Sequence, residues 1–443
     1  MIEALDFLYY FLLISEYLIG LVFLRKMVPI LSFSGIYLTL NFIFIIIPGY
    51  YLYRGGAIYD DKFSIDTRTY ILLLCQGLLA PPAIYAAWRN LPSQKISIEV
   101  RKKTKSIYLY LLLIVILYNI FYIASNVDTI PILKVFSGNF VEAAFDRVLL
   151  THGFSESALP FYFAYYRLFT KDLIFVLLIP LCIFGKFLKS VPDIFFLLSL
   201  VFLLMMHIEK AYILYLFLGL YFAQSKFKPP TKWNIVLSLM FVLLASVLVT
   251  YALFANNIMD AVSYLPTRLV GQTGYTFAQL RQFDDYGFLG INGINLGFIG
   301  RLLSINFVDV SKLAFNDVNA SAADLIISGS SAGAAFPEAY MTMGYFAPLF
   351  FIFFVTSTAV FDKYLYSITI VNFKSDSIIV ERLAKSFYIY FACFYPLALV
   401  GTMFAVFSVT TLFQPPLLVV MIFFILIFRL KIKRSLIFGP PPS

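Results

Sequence analysis

Charge is scarce in this chain: Asp, Glu, Lys and Arg together make up 13% of its 443 residues. A soluble domain of that length keeps roughly a quarter of its residues charged, so an ordinary cytosolic protein is excluded. Cysteine is scarcer still. Cys75, Cys182 and Cys393 all fall inside apolar runs, so neither a disulfide framework nor a zinc knuckle is implied. Only two histidines are present, and no serine, cysteine or zinc hydrolase motif can be found. The first residues, Met-Ile-Glu-Ala-Leu-Asp, lack the positive region of a cleaved signal. The net charge of +9 sits mainly in short loops, and no basic segment is both long and interleaved with aromatics, which argues against nucleic acid as a partner.

What is abundant is apolar. Hydrophobic residues fill 61% of the chain, and the mean hydropathy is +0.88. Runs near twenty residues recur along the whole length, each long enough to cross ~30 Å of hydrocarbon as a helix. They lack the alternation of a membrane barrel, and in lipid only a helix satisfies its own backbone. The expected fold is therefore all-α, a single polytopic membrane domain over 1–443 with about eleven spans. These are placed at 5–24, 28–50, 69–88, 107–124, 171–187, 192–207, 210–224, 233–255, 339–360, 386–412 and 415–430. Of the 33 Lys and Arg, 21 fall in the short loops of one side, among them the 89–105 loop and the tail from Arg429 to Arg434. The positive-inside rule makes that side cytoplasmic, with the N-terminus outside and the C-terminus inside.

Two longer segments are then extracytoplasmic, 125–169 and 255–338. Loops of that length are uncommon unless they carry function. The first contains Asn139–Leu150, which reads as a short interfacial amphipathic helix. The second contains a helical pattern over 262–283 and then glycine-rich and small-residue stretches. Along that helix Arg268, Gln272, Tyr275, Gln279 and Gln282 share one face, a stripe suited to sugar hydroxyls and phosphate oxygens or, equally, a solvated surface. Arg281 projects to the other face, and Arg301 lies beyond the glycines. Lys210, in a tight turn between two short spans, either snorkels to the interface or marks a site there. Glu338 opens the span at 339–360; dipole capping explains it completely, and a general base or sugar-hydroxyl acceptor is the functional alternative. His152 in the first outer segment is a second base candidate. The glycines from Gly287 to Gly300 follow no strand and fit no nucleotide loop. The pairs Asp60-Asp61 and Asp284-Asp285 lack an evident third ligand and read as solvated, so no metal or other cofactor is expected.

The segment Phe336–Phe346, with Glu338, Tyr340 and Gly344 after a run of small residues, resembles the Wzy-type O-antigen and oligosaccharide repeat-unit polymerases of bacteria. Arg268 heading an amphipathic helix in the preceding outer loop is similar, as is a cation in the turn before a middle span, where Lys210 stands and many members carry arginine. The resemblance implies a glycosyltransferase in the cytoplasmic membrane. It would transfer a glycan from undecaprenyl pyrophosphate onto one lipid-linked repeat unit and release the pyrophosphate. Arg268, Arg281, Arg301 and Lys210 would stabilise the leaving group, and Glu338 or His152 would receive the acceptor proton. Gln272, Tyr275, Gln279 and Tyr340 would line the substrate, and a chain-length regulator and a flippase would be the protein partners. An O-antigen ligase would depend on an outer histidine such as His152. A flippase or other transporter would show ionisable residues within spans or broken helices near the midplane.

Overall fold

The computed structural model describes residues 32–53, 65–90, 94–99, 104–139, 258–293, 303–308, 333–366 and 431–436, with a short helical piece at 201–206 and scattered single positions. Helix α1 (Phe33–Tyr53), helix α2 (Thr67–Asn90) and the stretch Ala335–Lys363 are long and apolar enough to cross a membrane. The first two match the spans expected at 28–50 and 69–88. Helix α3 (Thr104–Asn126) occupies the span expected at 107–124. The spans expected at 5–24, 171–187, 210–224, 233–255, 386–412 and 415–430 lie outside the described residues, as does most of 192–207.

Helix α2 starts on a side-chain cap. Asp66 Oδ1 accepts the Thr69 N–H at 2.7 Å, filling one of the amides that a helix start leaves without a partner. Pro81 and Pro82 lie inside α2 without ending it, as membrane helices permit. In α1 a proline does alter the helix. Pro48 has no N–H to offer the Phe44 carbonyl four residues earlier, and the helix widens into a π turn over Phe42–Ile46. The Thr273 hydroxyl donates to that carbonyl at 2.8 Å. Close approach of α1 and α2 depends on Gly77, where a Cβ would collide with the tip of Ile46.

Helix α4 (Pro131–Phe136) follows α3 through a single 3-10 turn. Tyr122, Ile130 and Met206 form a small buried cluster there, and the Ile132 N–H donates to the Met206 carbonyl at 3.2 Å. Lys134 pairs with Glu142 at 3.3 Å and Asp146 at 2.5 Å, tying α4 to positions in the expected Asn139–Leu150 helix. A hydrogen bond to Asp146 is the main reason that the Lys134 ammonium lies above its usual range. Helix α5 (Ile258–Tyr286) contains the helical pattern expected over 262–283 and extends it at both ends.

The third apolar stretch departs from expectation. It is not one helix entering the membrane at Glu338. Helix α6 (Ala335–Met343) ends at Gly344, whose φ of 57° and ψ of −129° suit glycine alone. After a 3-10 turn, helix α7 (Ala347–Tyr366) runs back alongside it. In a continuous helix Phe336 and Phe351 would lie about 22 Å apart; their ring centroids are 5.4 Å apart. Helix α7 alone, at 20 residues, has the length of a span.

The all-helical expectation also needs one amendment. Strand β1 (Gln94–Glu99) pairs antiparallel with strand β2 (Lys431–Leu436), joining the loop after α2 to the basic tail. Both strands lie outside the apolar runs, so the exclusion of strands within those runs is not affected.

Candidate functional site

Helices α2 and α7 pack side by side, with α1 against both. At one end of this group Ser34, Trp88 and Asp362 meet. Asp362 is fully buried, and its Oδ2 accepts the Ser34 N–H at 2.9 Å and the Ser34 hydroxyl at 2.7 Å. The Trp88 indole N–H donates to the Ser34 hydroxyl at 3.1 Å, and Lys363 Nζ donates to the Trp88 carbonyl at 2.5 Å. The opposite end holds the start of α2, the end of α5 and the α6–α7 turn. This second end is the candidate site.

Its floor is polar and buried. The first N–H groups of α6 have no partner within that helix. Gln76 Oε1 accepts the Phe336 N–H at 2.8 Å, and Thr276 Oγ1 accepts the Ala334 N–H at 2.8 Å. Gln76 in turn donates to Asn41 Oδ1 at 2.9 Å. Two helices, α2 and α5, therefore cap α6 at its interior end, and α1 holds the Gln76 side chain in place through Asn41. Gln279, 4% exposed, lies against Gly333, where even a methyl group would collide with its carboxamide.

Above this floor the site opens. Arg68 grips Asp284 through two bonds, Nη1 to Oδ1 at 2.6 Å and Nη2 to Oδ2 at 2.8 Å. Each charge is at the unfavourable end of its helix dipole, arginine in the first turn of α2 and aspartate in the last turn of α5, and each answers the other. The hydrogen bonds from Arg68 hold the Asp284 carboxyl below its usual range. The Arg68 Nε is buried without a hydrogen-bond partner among the described residues. Beside this pair Tyr340 packs edge to face with Phe283 and with Phe288, each 6.0 Å away, and Phe288 lies tilted against Phe283 at 5.5 Å. The Phe288 ring also touches Gly344, at about the closest approach that a Cβ there would tolerate. Tyr345 extends the cluster and is 90% exposed.

The sequence-derived candidates divide accordingly. Tyr340 joins the aromatic cluster, and half-buried Glu338 sits in the first turn of α6 between the capped floor and Tyr340. Gln279 belongs to the buried floor, Tyr275 is half-buried on α5, and Arg281 is exposed near the end of that helix. Arg268 and Gln272 lie on α5, and only their backbone is described. Arg301, Lys210 and His152 lie outside the described residues. Asp284, read as half of a solvated pair, is instead the partner of Arg68, while Asp285 is exposed. Arg68 itself escaped the sequence reading. Its signal was a cation two residues after a capping aspartate, where the helix dipole is unfavourable and a fixed anion has to compensate. Comparison with protein families, curated proteins and solved structures finds no match to the chain.

Proposed function

We propose that this protein is a membrane glycosyltransferase that polymerises undecaprenyl-pyrophosphate-linked oligosaccharide repeat units at the outer face of a bacterial cytoplasmic membrane. The observation that carries the reading is the place of the motif residues. Glu338, Tyr340 and Gly344 share one folded-back half-helix, whose tip meets the end of α5 and the Arg68–Asp284 pair. In this reading the Arg68 end faces outward, the chain crosses the membrane about eleven times, and the C-terminus is cytoplasmic. Arg268, Arg281, Arg301 and Lys210 bear on the departing pyrophosphate, whose charge fixed cations stabilise best where water is excluded. Glu338 takes the proton of the acceptor hydroxyl, with His152 as the second base, and Tyr340 packs against the sugar.

The test is polymerisation by the purified protein in detergent with its native lipid-linked repeat unit and EDTA present. A product ladder spaced by one repeat, lost in Arg268→Ala, is the expected outcome. No ladder from a verified substrate, with transfer to lipid A core instead, would replace the reading by that of a ligase.

One observation favours a second reading, a lipid-linked oligosaccharide flippase or other transporter. Helix α6 starts in the interior, level with Gln76 and Asn41, and broken helices of that kind surround the substrate sites of many transporters. Substrate movement across liposomes without any ladder would select it.

A further inference from the structure

The exposed part of the open end is held in place by its backbone. Gly287, at a φ of 69°, closes α5, and its N–H donates to the Phe283 carbonyl at 2.8 Å. The Leu289 N–H then donates to the Met341 carbonyl at 3.1 Å. Phe288 is fixed between these two bonds and lies against Gly344. Its ring and that of Tyr345 are 6.4 Å apart and tilted by 53°, and the two residues are 56% and 90% exposed. Two uncovered rings on a backbone already ordered cost a ligand little to organise.

The polar border of these rings can both donate and accept. Asp284 takes one bond from each Nη of Arg68, at 2.6 Å and 2.8 Å. Each Nη carries a second N–H, and each carboxylate oxygen has further lone pairs. A hydroxyl, donor and acceptor at once, suits such a pair. A phosphate does not, because it would meet a guanidinium already neutralised. Among the described residues of this end, Asp66, Asp284 and Asp285 also outnumber Arg68 and Arg281, which disfavours any anionic ligand and an anionic lipid surface. Hydrocarbon is no better a cover, since the exposed carboxylates of Asp66, Asp284 and Asp285 would have to leave water.

We propose that the open end is a saccharide subsite. One sugar ring packs its C–H face against Phe288 and Tyr345, and two of its adjacent hydroxyls bridge Arg68 and Asp284. The subsite takes neutral sugars in preference to acidic ones. This inference deepens the polymerase reading by placing one ring of the glycan, and it rests on that reading for a glycan rather than another cyclic polyol. Binding is measured without turnover, so the two fail separately.

Fluorescently labelled full chain in detergent would be applied to an array of immobilised bacterial surface oligosaccharides, some neutral and some acidic. Retention on neutral members is expected, reduced several-fold in Tyr345→Ala and in Asp284→Asn. Tyr345→Phe, which keeps the ring, should retain binding, as should Phe353→Ala, an exposed position further along α7. Unchanged thermal unfolding of Tyr345→Ala separates loss of the ring from loss of the fold. Inorganic phosphate should not displace the protein from the array. No retention on any member would overturn the proposal, and so would retention equal to the parent in both Tyr345→Ala and Asp284→Asn. Displacement by phosphate would overturn it in favour of an anion site. Retention that depends on Tyr345 and Asp284, with no product ladder from the lipid-linked repeat unit, would keep the subsite and sink the polymerase.

Discussion

At one end of helices α1, α2 and α7 the Asp362 carboxylate is closed off from solvent; at the other, Arg68 and Asp284 meet with their side chains 36% and 52% exposed. Both ends join elements far apart in sequence through a carboxylate. The physical terms differ. A buried acceptor that receives two bonds from Ser34 cannot be replaced by water, so losing it leaves donors without partners. An exposed pair competes with water and salt, and its net value is small even with two-point geometry. The sealed end is built for cohesion, and the open end can exchange its partners at little cost.

Removing the acceptor at the sealed end is the largest test of that contrast. Asp362→Ala should destabilise the protein by about 3 kcal/mol, since the Ser34 N–H and hydroxyl both lose their partner. Thermal unfolding in detergent would show it, and Asp362→Asn should lose less because one carbonyl oxygen remains. Were Asp362→Ala no worse than Asp284→Ala, the distinction between the ends would collapse. The floor beneath the open end should fall between the two. Gln76→Leu leaves the Phe336 N–H without an acceptor and should lose about 2 kcal/mol. Faster amide exchange at the start of α6, with the sealed end unchanged, is the check. The smallest effect belongs to Asp284→Asn, below about 1 kcal/mol and shrinking as salt is added. Because Arg68 lowers the Asp284 pKa, the stabilisation from this pair is complete above the unfolded value near ~3.9. It disappears as pH falls through the lower folded value. An acid titration of stability should lose that component in Asp284→Asn and keep the rest.

Much of the helical frame was legible because membrane spans obey a length rule. The expected spans at 28–50, 69–88 and 107–124 fall within a few residues of α1, α2 and α3, and the 262–283 pattern falls inside α5. What escaped depended on partners distant in sequence. Asn41, Gln76 and Thr276 are each unremarkable polar residues until the start of α6 is placed among them. The reversal at Gly344 was hidden because apolar residues continue on both sides of it, and hydropathy carries no sign of direction. Asp362 was placed just past the end of a span, whereas α7 continues to Tyr366 and buries it. The ribbon did leave a trace: Lys-Ile-Ser-Ile-Glu at 95–99 alternates polar and apolar residues, the strand period. Its partner stands more than three hundred residues later.

The wide turn at Phe42–Ile46 has a consequence of a different kind. It accommodates one residue more than an α-helical turn would, so everything beyond it is rotated by about 100° relative to an uninterrupted helix. That rotation gives buried Leu52 its place and brings Tyr53 onto Tyr70, with ring centroids 4.1 Å apart. Deleting a single residue there would leave composition, hydropathy and apparent span length almost unchanged, yet turn the C-terminal end of α1 away from both neighbours. The aim of this helix is written in a count of residues rather than in their identities.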